Sequence, residues 1–290
     1  MALRLERAKA AAVALAVVGI FAIATPASAA SFVLSNGTLT VTIADNGAID
    51  TLVFAASDWY NPGSPVSDFG FQVGTTTATF DRNTTAGLTE IAGSSTNPTW
   101  TGTYTPLGGA NNVTKTYSLS GSVLQVTTTV TNNTAGALTI RAFDTFDPDQ
   151  DVDEGTFSTI NDIYSLGGGS VLRASGPLTG HTVIMGFAPE GAFGAGSSSF
   201  GLDVSSGGDL NACFATPFDP NGANSDIGIC IGAELVVAPG ATLTWTYYQA
   251  YGLTLAAAEA AFLAAVPEPT LLVLFGLGLA GAARRYRRRG

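Results

Sequence analysis

The chain has 290 residues, 46% of them hydrophobic and only 12% charged, with a formal net charge of −10. Between residues 30 and 265 the basic residues are Arg82, Lys115, Arg141 and Arg173, against 20 acidic ones, a balance of −16. Such a surface excludes nucleic acid and anionic lipid headgroups as partners and suits cations or neutral glycans, while well-spread Val, Ile, Leu and aromatic residues exclude a disordered chain.

The N-terminus carries Arg4, Arg7 and Lys9, then an apolar stretch from Ala10 to Ala24, broken by Pro26. Ala27-Ser28-Ala29 supplies the small-x-small pattern that signal peptidase accepts. Residues 1–29 are therefore expected to be a secretory signal cleaved after Ala29, and they are left out of the fold.

From there to residue 253, period-two alternation dominates. In Thr38 to Ile43, the apolar Leu39, Val41 and Ile43 face one way and the threonines the other. Asp45-Asn46-Gly47 predicts a tight turn into a returning strand, Ala48 to Phe54. Val123 to Thr131 alternates through Leu124, Val126 and Val130, Asn132 to Gly136 makes a turn, and Leu138 to Phe143 returns. Leu243, Trp245 and Tyr247 line one face of a late strand. The expected fold is all-β, an antiparallel β-sandwich body over residues 30–253.

The sharpest feature of the body is Asp147-Pro148-Asp149-Gln150-Asp151-Val152-Asp153-Glu154-Gly155. In a straight strand alternate carboxylates lie about 6.6 Å apart, too far to share an ion. In a curled loop Asp147, Asp149, Asp151, Asp153 and Glu154 would converge into a site for calcium, which takes six to eight oxygens at about 2.3–2.6 Å. The EF-hand pattern fails, because Val152 stands where that loop needs glycine and Ser158 where it needs glutamate. The competing reading is a solvated acidic loop.

Cys213 and Cys230 in an exported chain are expected to form a disulfide. Trp59-Tyr60 before a proline-rich loop, and Trp100 with Tyr104 beside another, are candidates for stacking on sugar rings. Their competing role is to close the ends of the sandwich core. No carboxylate pair is singled out by spacing for glycoside hydrolysis, no G-x-S-x-G occurs, and the lone histidine, His181, reads as structural. No catalytic residue is assigned. Thr254 is placed to cap a helix over Leu255 to Ala265, an alanine-rich spacer over residues 254–265.

The last segment, residues 266–290, has three parts in unbroken order. Pro267-Glu268-Pro269 comes first, then the apolar run Leu271 to Ala283, then the basic tail Arg284, Arg285, Arg287, Arg288 and Arg289. As a helix the run rises about 20 Å, shorter than the ~30 Å hydrocarbon core. Snorkelling arginines extend its reach and hold the tail on the cytoplasmic side.

This three-part order resembles the PEP-CTERM sorting signal of Gram-negative bacteria. The resemblance implies processing by an exosortase around Pro267 to Pro269, a transmembrane intermediate, and an association with bacteria that make extracellular polysaccharide. Over about half of the body, Asn36 to Phe54, then Lys115 to Tyr117 with Leu124 to Phe143, resemble the large β-sandwich of aldose-mutarotase-like and related carbohydrate-binding domains. The mutarotase catalytic pattern of histidine with carboxylate does not carry over, since only His181 is present.

The expected function is that of an exported, exosortase-processed cell-envelope or matrix protein associated with exopolysaccharide in a biofilm, and not an enzyme. Its route would run from an inner-membrane intermediate, with the body in the periplasm, to the cell surface. The alternatives are a calcium-dependent carbohydrate-binding module and a polysaccharide-modifying enzyme.

Overall fold

Leu39, Val41 and Ile43 are fully buried and alternate with half-buried threonines, so the first alternating segment forms its strand as the pattern dictates. The computed structural model describes residues 31–266 except 45, 60–66, 74–75, 81–84, 87–89, 97–98, 105–110, 188–194, 198–213 and 215–220. The expected signal with Ala27 and Ala29, and the segment after Val266, lie outside the described residues.

Strands β1 (Phe32–Ser35), β2 (Leu39–Ile43), β3 (Ile49–Phe54) and β4 (Ser57–Asp58) form a small sheet in chain order. They are followed by β5 (Ser67–Val73), β6 (Thr76–Phe80), β7 (Thr85–Ala86), β8 (Glu90–Thr96), β9 (Thr99–Tyr104) and β10 (Asn111–Ser120). Next come β11 (Val123–Asn132), β12 (Leu138–Phe146), β13 (Thr159–Leu166), β14 (Gly169–Ser175) and β15 (Thr182–Phe187). The last are β16 (Ala195–Ser197), β17 (Asn224–Ser225), β18 (Ile229–Val237) and β19 (Thr242–Gly252). A nine-stranded sheet runs β17-β13-β14-β15-β19-β11-β10-β9-β8, and a six-stranded sheet runs β16-β18-β12-β5-β6-β7. Neighbouring strands pair antiparallel, from β1 with β2 to β8 with β9. The body is all-β.

One core joins the three sheets. Leu52 of the small sheet, Val113, Tyr117 and Val126 of the large one, and Phe71 and Ile231 of the third belong to the same buried cluster. Lys115 of β10 and Asp144 of β12 form an ion pair inside it, and Lys115 is wholly buried.

Two local expectations meet different outcomes. At the first turn Asn46 Oδ1 accepts from the Ala48 amide at 3.0 Å and Gly47 takes φ +88°, the left-handed backbone that glycine allows. The second predicted hairpin, β11 returning as β12, is corrected: these strands part into different sheets. Asn132 explains the change. Its Oδ1 accepts from Thr134 N at 2.8 Å, while its Nδ2 donates to Gly136 O at 2.8 Å and to Val237 O at 2.9 Å. The turn is thereby tied to the end of β18, and β12 pairs with β18 instead.

Helix α1 (Leu255–Ala265) starts at Thr254, whose hydroxyl accepts from Ala257 N at 3.2 Å. It is not a free spacer. Ala258 and Phe262 are buried against Val171, Ile184 and Tyr248 on the second face of the nine-stranded sheet. Gly186 makes this seat possible, since a Cβ there would lie 2.8 Å from Phe262 Cζ. Among the described residues, no helix is long and apolar enough to cross a membrane.

Candidate functional site

Strand β12 ends at Phe146, two residues before Pro148, which has no N–H to continue a ladder. The chain then curls. The Asp149 amide donates to Trp59 O at 3.1 Å, the Val152 amide donates back to Asp149 O at 3.0 Å, and Gln150 Nε2 donates to Ala174 O at 2.8 Å. This places Asp147 and Asp149 beside Asp226, which follows β17. Carboxylate oxygens of the three residues all lie within 4.8 Å of one another. Oxygens on opposite sides of one calcium ion are about 5 Å apart, so the spacing fits such an ion.

Burial, and then the Asp226 charge, raise the Asp147 carboxyl to about 6. Burial also raises Asp226. Asp147 Oδ1 is buried with no hydrogen-bond partner among the described residues. Because the folded-state value lies above the unfolded one, the carboxyl favours folding when protonated. Its contribution is full below the unfolded pKa of about 4 and is lost as pH rises through about 6. In chelator, Asp147→Asn is therefore expected to gain stability relative to the parent chain between pH 4 and 7, by on the order of 2–3 kcal/mol. Paired urea titrations at the two pH values check this.

The five-acid set predicted from the loop does not assemble. Asp151 turns away: its carboxylate accepts from the Leu178 amide at 2.7 Å and from the Thr179 amide and hydroxyl. It pins the turn between β14 and β15. Asp153 and Glu154 lie exposed on a single 3₁₀ turn, Val152–Glu154, closed by Gly155 at φ +86°. Asp226, the third member of the cluster, was missed. It stands 77 residues beyond Asp149 in the sequence with no local pattern to mark it, and only the sheet topology brings it in.

Trp59 is corrected from surface contact to core. It is 0% exposed, its Nε1 donates to Phe54 O at 3.2 Å, and it stacks on His181 at 5.6 Å between ring centroids and 7° between planes. The His181 ring does structural work as Trp59's neighbour. Its buried Nδ1 has no hydrogen-bond partner among the described residues. Tyr60 lies outside the described residues. Trp100 and Tyr104 lie within β9, Tyr104 at its end, and their side chains are outside the described residues. Cys230 is disulfide-bonded at the start of β18; Cys213, the partner expected from the sequence, lies outside the described residues.

No curated protein matches this sequence. Solved structures do match. A bacterial glucoamylase complexed with acarbose shares 13% identity over 83% of this chain and 36% of its own, with a TM-score of 0.50. A polysaccharide lyase shares 13% identity over 79% of this chain and 34% of its own, with a TM-score of 0.47. A galactose mutarotase-like protein from Lactobacillus casei shares 11% identity over 77% of this chain and 100% of its own, with a TM-score of 0.44. This chain spans about a third of the first two. At these identities the likeness is one of fold: the body resembles galactose mutarotase-like and other carbohydrate-active β-sandwich proteins. The expectation that the body is not an enzyme is withdrawn here: the glucoamylase, which shares its fold, is an enzyme, and fold alone does not set activity. At the other end, the PEP-CTERM protein-sorting motif matches residues 265–289, which implies export, a membrane-anchored intermediate and an exosortase as processing partner; the chain carries a PEP-CTERM sorting motif behind a β-sandwich body.

Proposed function

We propose that this is an exosortase-processed protein of the cell envelope or extracellular matrix that associates with exopolysaccharide. The sorting motif at residues 265–289 carries the reading. The acidic, lysine-poor surface supports it, since such a surface repels nucleic acid and anionic lipid and leaves neutral or cation-bridged glycans as partners. The route begins in the inner membrane with the body in the periplasm and ends at the cell surface or in the matrix. The prolines at 267 and 269 disfavour helix, which suits recognition by a protease-like enzyme. Glu268→Ala is expected to leave the chain at full length in the membrane fraction of its host, read by immunoblot. A normally processed form in that variant would contradict the reading.

The Asp147, Asp149 and Asp226 cluster favours a calcium-assisted form of the same function. Calcium would neutralise three carboxylates that otherwise repel one another, and would hold the β12 and β17 segments together. Calcium is then expected to raise the melting temperature of the parent chain, and the double variant Asp147→Asn, Asp226→Asn to lose that response. Binding of the protein to its host's exopolysaccharide, with calcium and then with chelator, tests whether the ion also serves the glycan. An equal calcium response in parent and variant would rule out this cluster as the site.

A further inference from the structure

We infer that Lys115 and Asp144 become joined by an amide bond between Lys115 Nζ and Asp144 Cγ, a covalent cross-link between the two large sheets of the body. The pair is placed for it. Lys115 sits on β10, inside the nine-stranded sheet between β9 and β11. Asp144 sits on β12, inside the six-stranded sheet between β5 and β18. Both side chains point into the shared core, with side-chain exposures of 1% and 7%, and Lys115 Nζ lies directly against Asp144 Oδ1.

The surroundings are apolar. Nζ lies 4.3 Å from the centroid of the Phe69 ring and 5.4 Å from that of Tyr117. Phe69 is the cross-strand partner of Asp144, so the same ring covers both reacting groups. An ammonium has three N–H donors, yet the only acceptor recorded for Lys115 among the described residues is Asp144. Tyr247 of β19 also hydrogen-bonds the Asp144 carboxyl.

This environment favours the uncharged form of each group. Burial pushes the Lys115 amine down and the Asp144 carboxyl up, and in each case it outweighs the attraction of the partner. A desolvated neutral lysine is a nucleophile, and a neutral carboxylic acid has a leaving hydroxyl that a carboxylate lacks. The Nζ lone pair attacks Cγ, forming the C–N bond and pushing the C=O electrons onto oxygen. Tyr247, which hydrogen-bonds this carboxyl, can donate to the oxygen that gains charge. One proton passes from nitrogen to the hydroxyl, the C–O bond breaks, the carbonyl re-forms and one water leaves. No oxidant, reductant or activated ester is needed. Fixed proximity supplies the drive, since well-oriented intramolecular reactions reach effective molarities of about 10⁵–10⁸ M. The product replaces two buried ionisable groups with one neutral amide.

The test is a tryptic digest of the purified, reduced and alkylated full chain, read by tandem mass spectrometry. Trypsin cuts after Arg82, Lys115, Arg141 and Arg173 of an unmodified body. The cross-linked body yields one branched peptide, residues 83–141 joined to residues 142–173, uncut at Lys115 and lighter by one water than its two parts. In Lys115→Met the segment 142–173 is expected alone at full mass. Recovery of linear 83–115, 116–141 and 142–173 from the parent chain would overturn the inference. So would a water loss confined to one linear segment, or one that persists in Lys115→Met, since either is dehydration of an aspartate by its own backbone.

Discussion

Lys115→Ala is expected to lower the unfolding free energy of the body by about 3–5 kcal/mol, the usual cost of removing one partner from a buried pair. The reason is positional. Asp144 is 5% exposed, and with Lys115 gone its carboxyl faces the Phe69 ring in place of a base. The variant also leaves a void where the lysine stem filled the core between β10 and β12. A urea titration checks it by the fall in midpoint; loss of the cross-link inferred above also raises the slope, because a chain tied between residues 115 and 144 exposes less surface on unfolding. A shift below about 1 kcal/mol would mean that Asp144 finds other partners and that the pair contributes little.

Trp59→Ala is expected to cost about 3–5 kcal/mol and to disturb the acidic cluster as well. The indole packs edge-on against Phe54 at 5.4 Å and Tyr251 at 5.3 Å, and face-on against His181 at 5.6 Å. It is the hub of an aromatic group between the small sheet and β19. Its carbonyl accepts from the Asp149 amide, so its backbone position fixes the start of the acidic loop. The two effects are separable. Thermal melts report the packing loss, and the calcium response of the variant reports the loop. A variant that melts like the parent but fails to bind a glycan would return Trp59 to the surface role first expected of it.

How far the sequence could be read follows from how local each signal is. The turn at Asn46-Gly47, the strand through Leu39, Val41 and Ile43, and the Thr254 cap each depend on side chains within a few residues, and all three are visible in the sequence. Docking of α1 depends on Gly186, far away in the chain, so an alanine-rich helix read alone looks like a spacer. The parting of β11 from β12 depends on Asn132 reaching Val237, again non-local.

The Lys115–Asp144 pair was partly legible. Val113, Lys115, Tyr117 and Leu119 share one face of β10, and Ile140, Ala142, Asp144 and Phe146 share one face of β12. A lysine and an aspartate, each on an otherwise apolar period-two face, announce a buried pair of ionisable groups. The acidic loop misled for the opposite reason. Its alternation suggested one site, but Asp151 serves the β14–β15 turn, while the third carboxylate of the cluster comes from beyond β17.

The measurement that tests the account most directly is the C-terminal sequence of the protein recovered from the surface or medium of its exporting host, read by mass spectrometry. The account predicts a chain that ends at or before Pro269 and lacks the apolar run and all five arginines of the tail, Arg284, Arg285, Arg287, Arg288 and Arg289. A surface form that still carries Arg284 to Gly290 would contradict it, because the motif would then be present without being used for sorting.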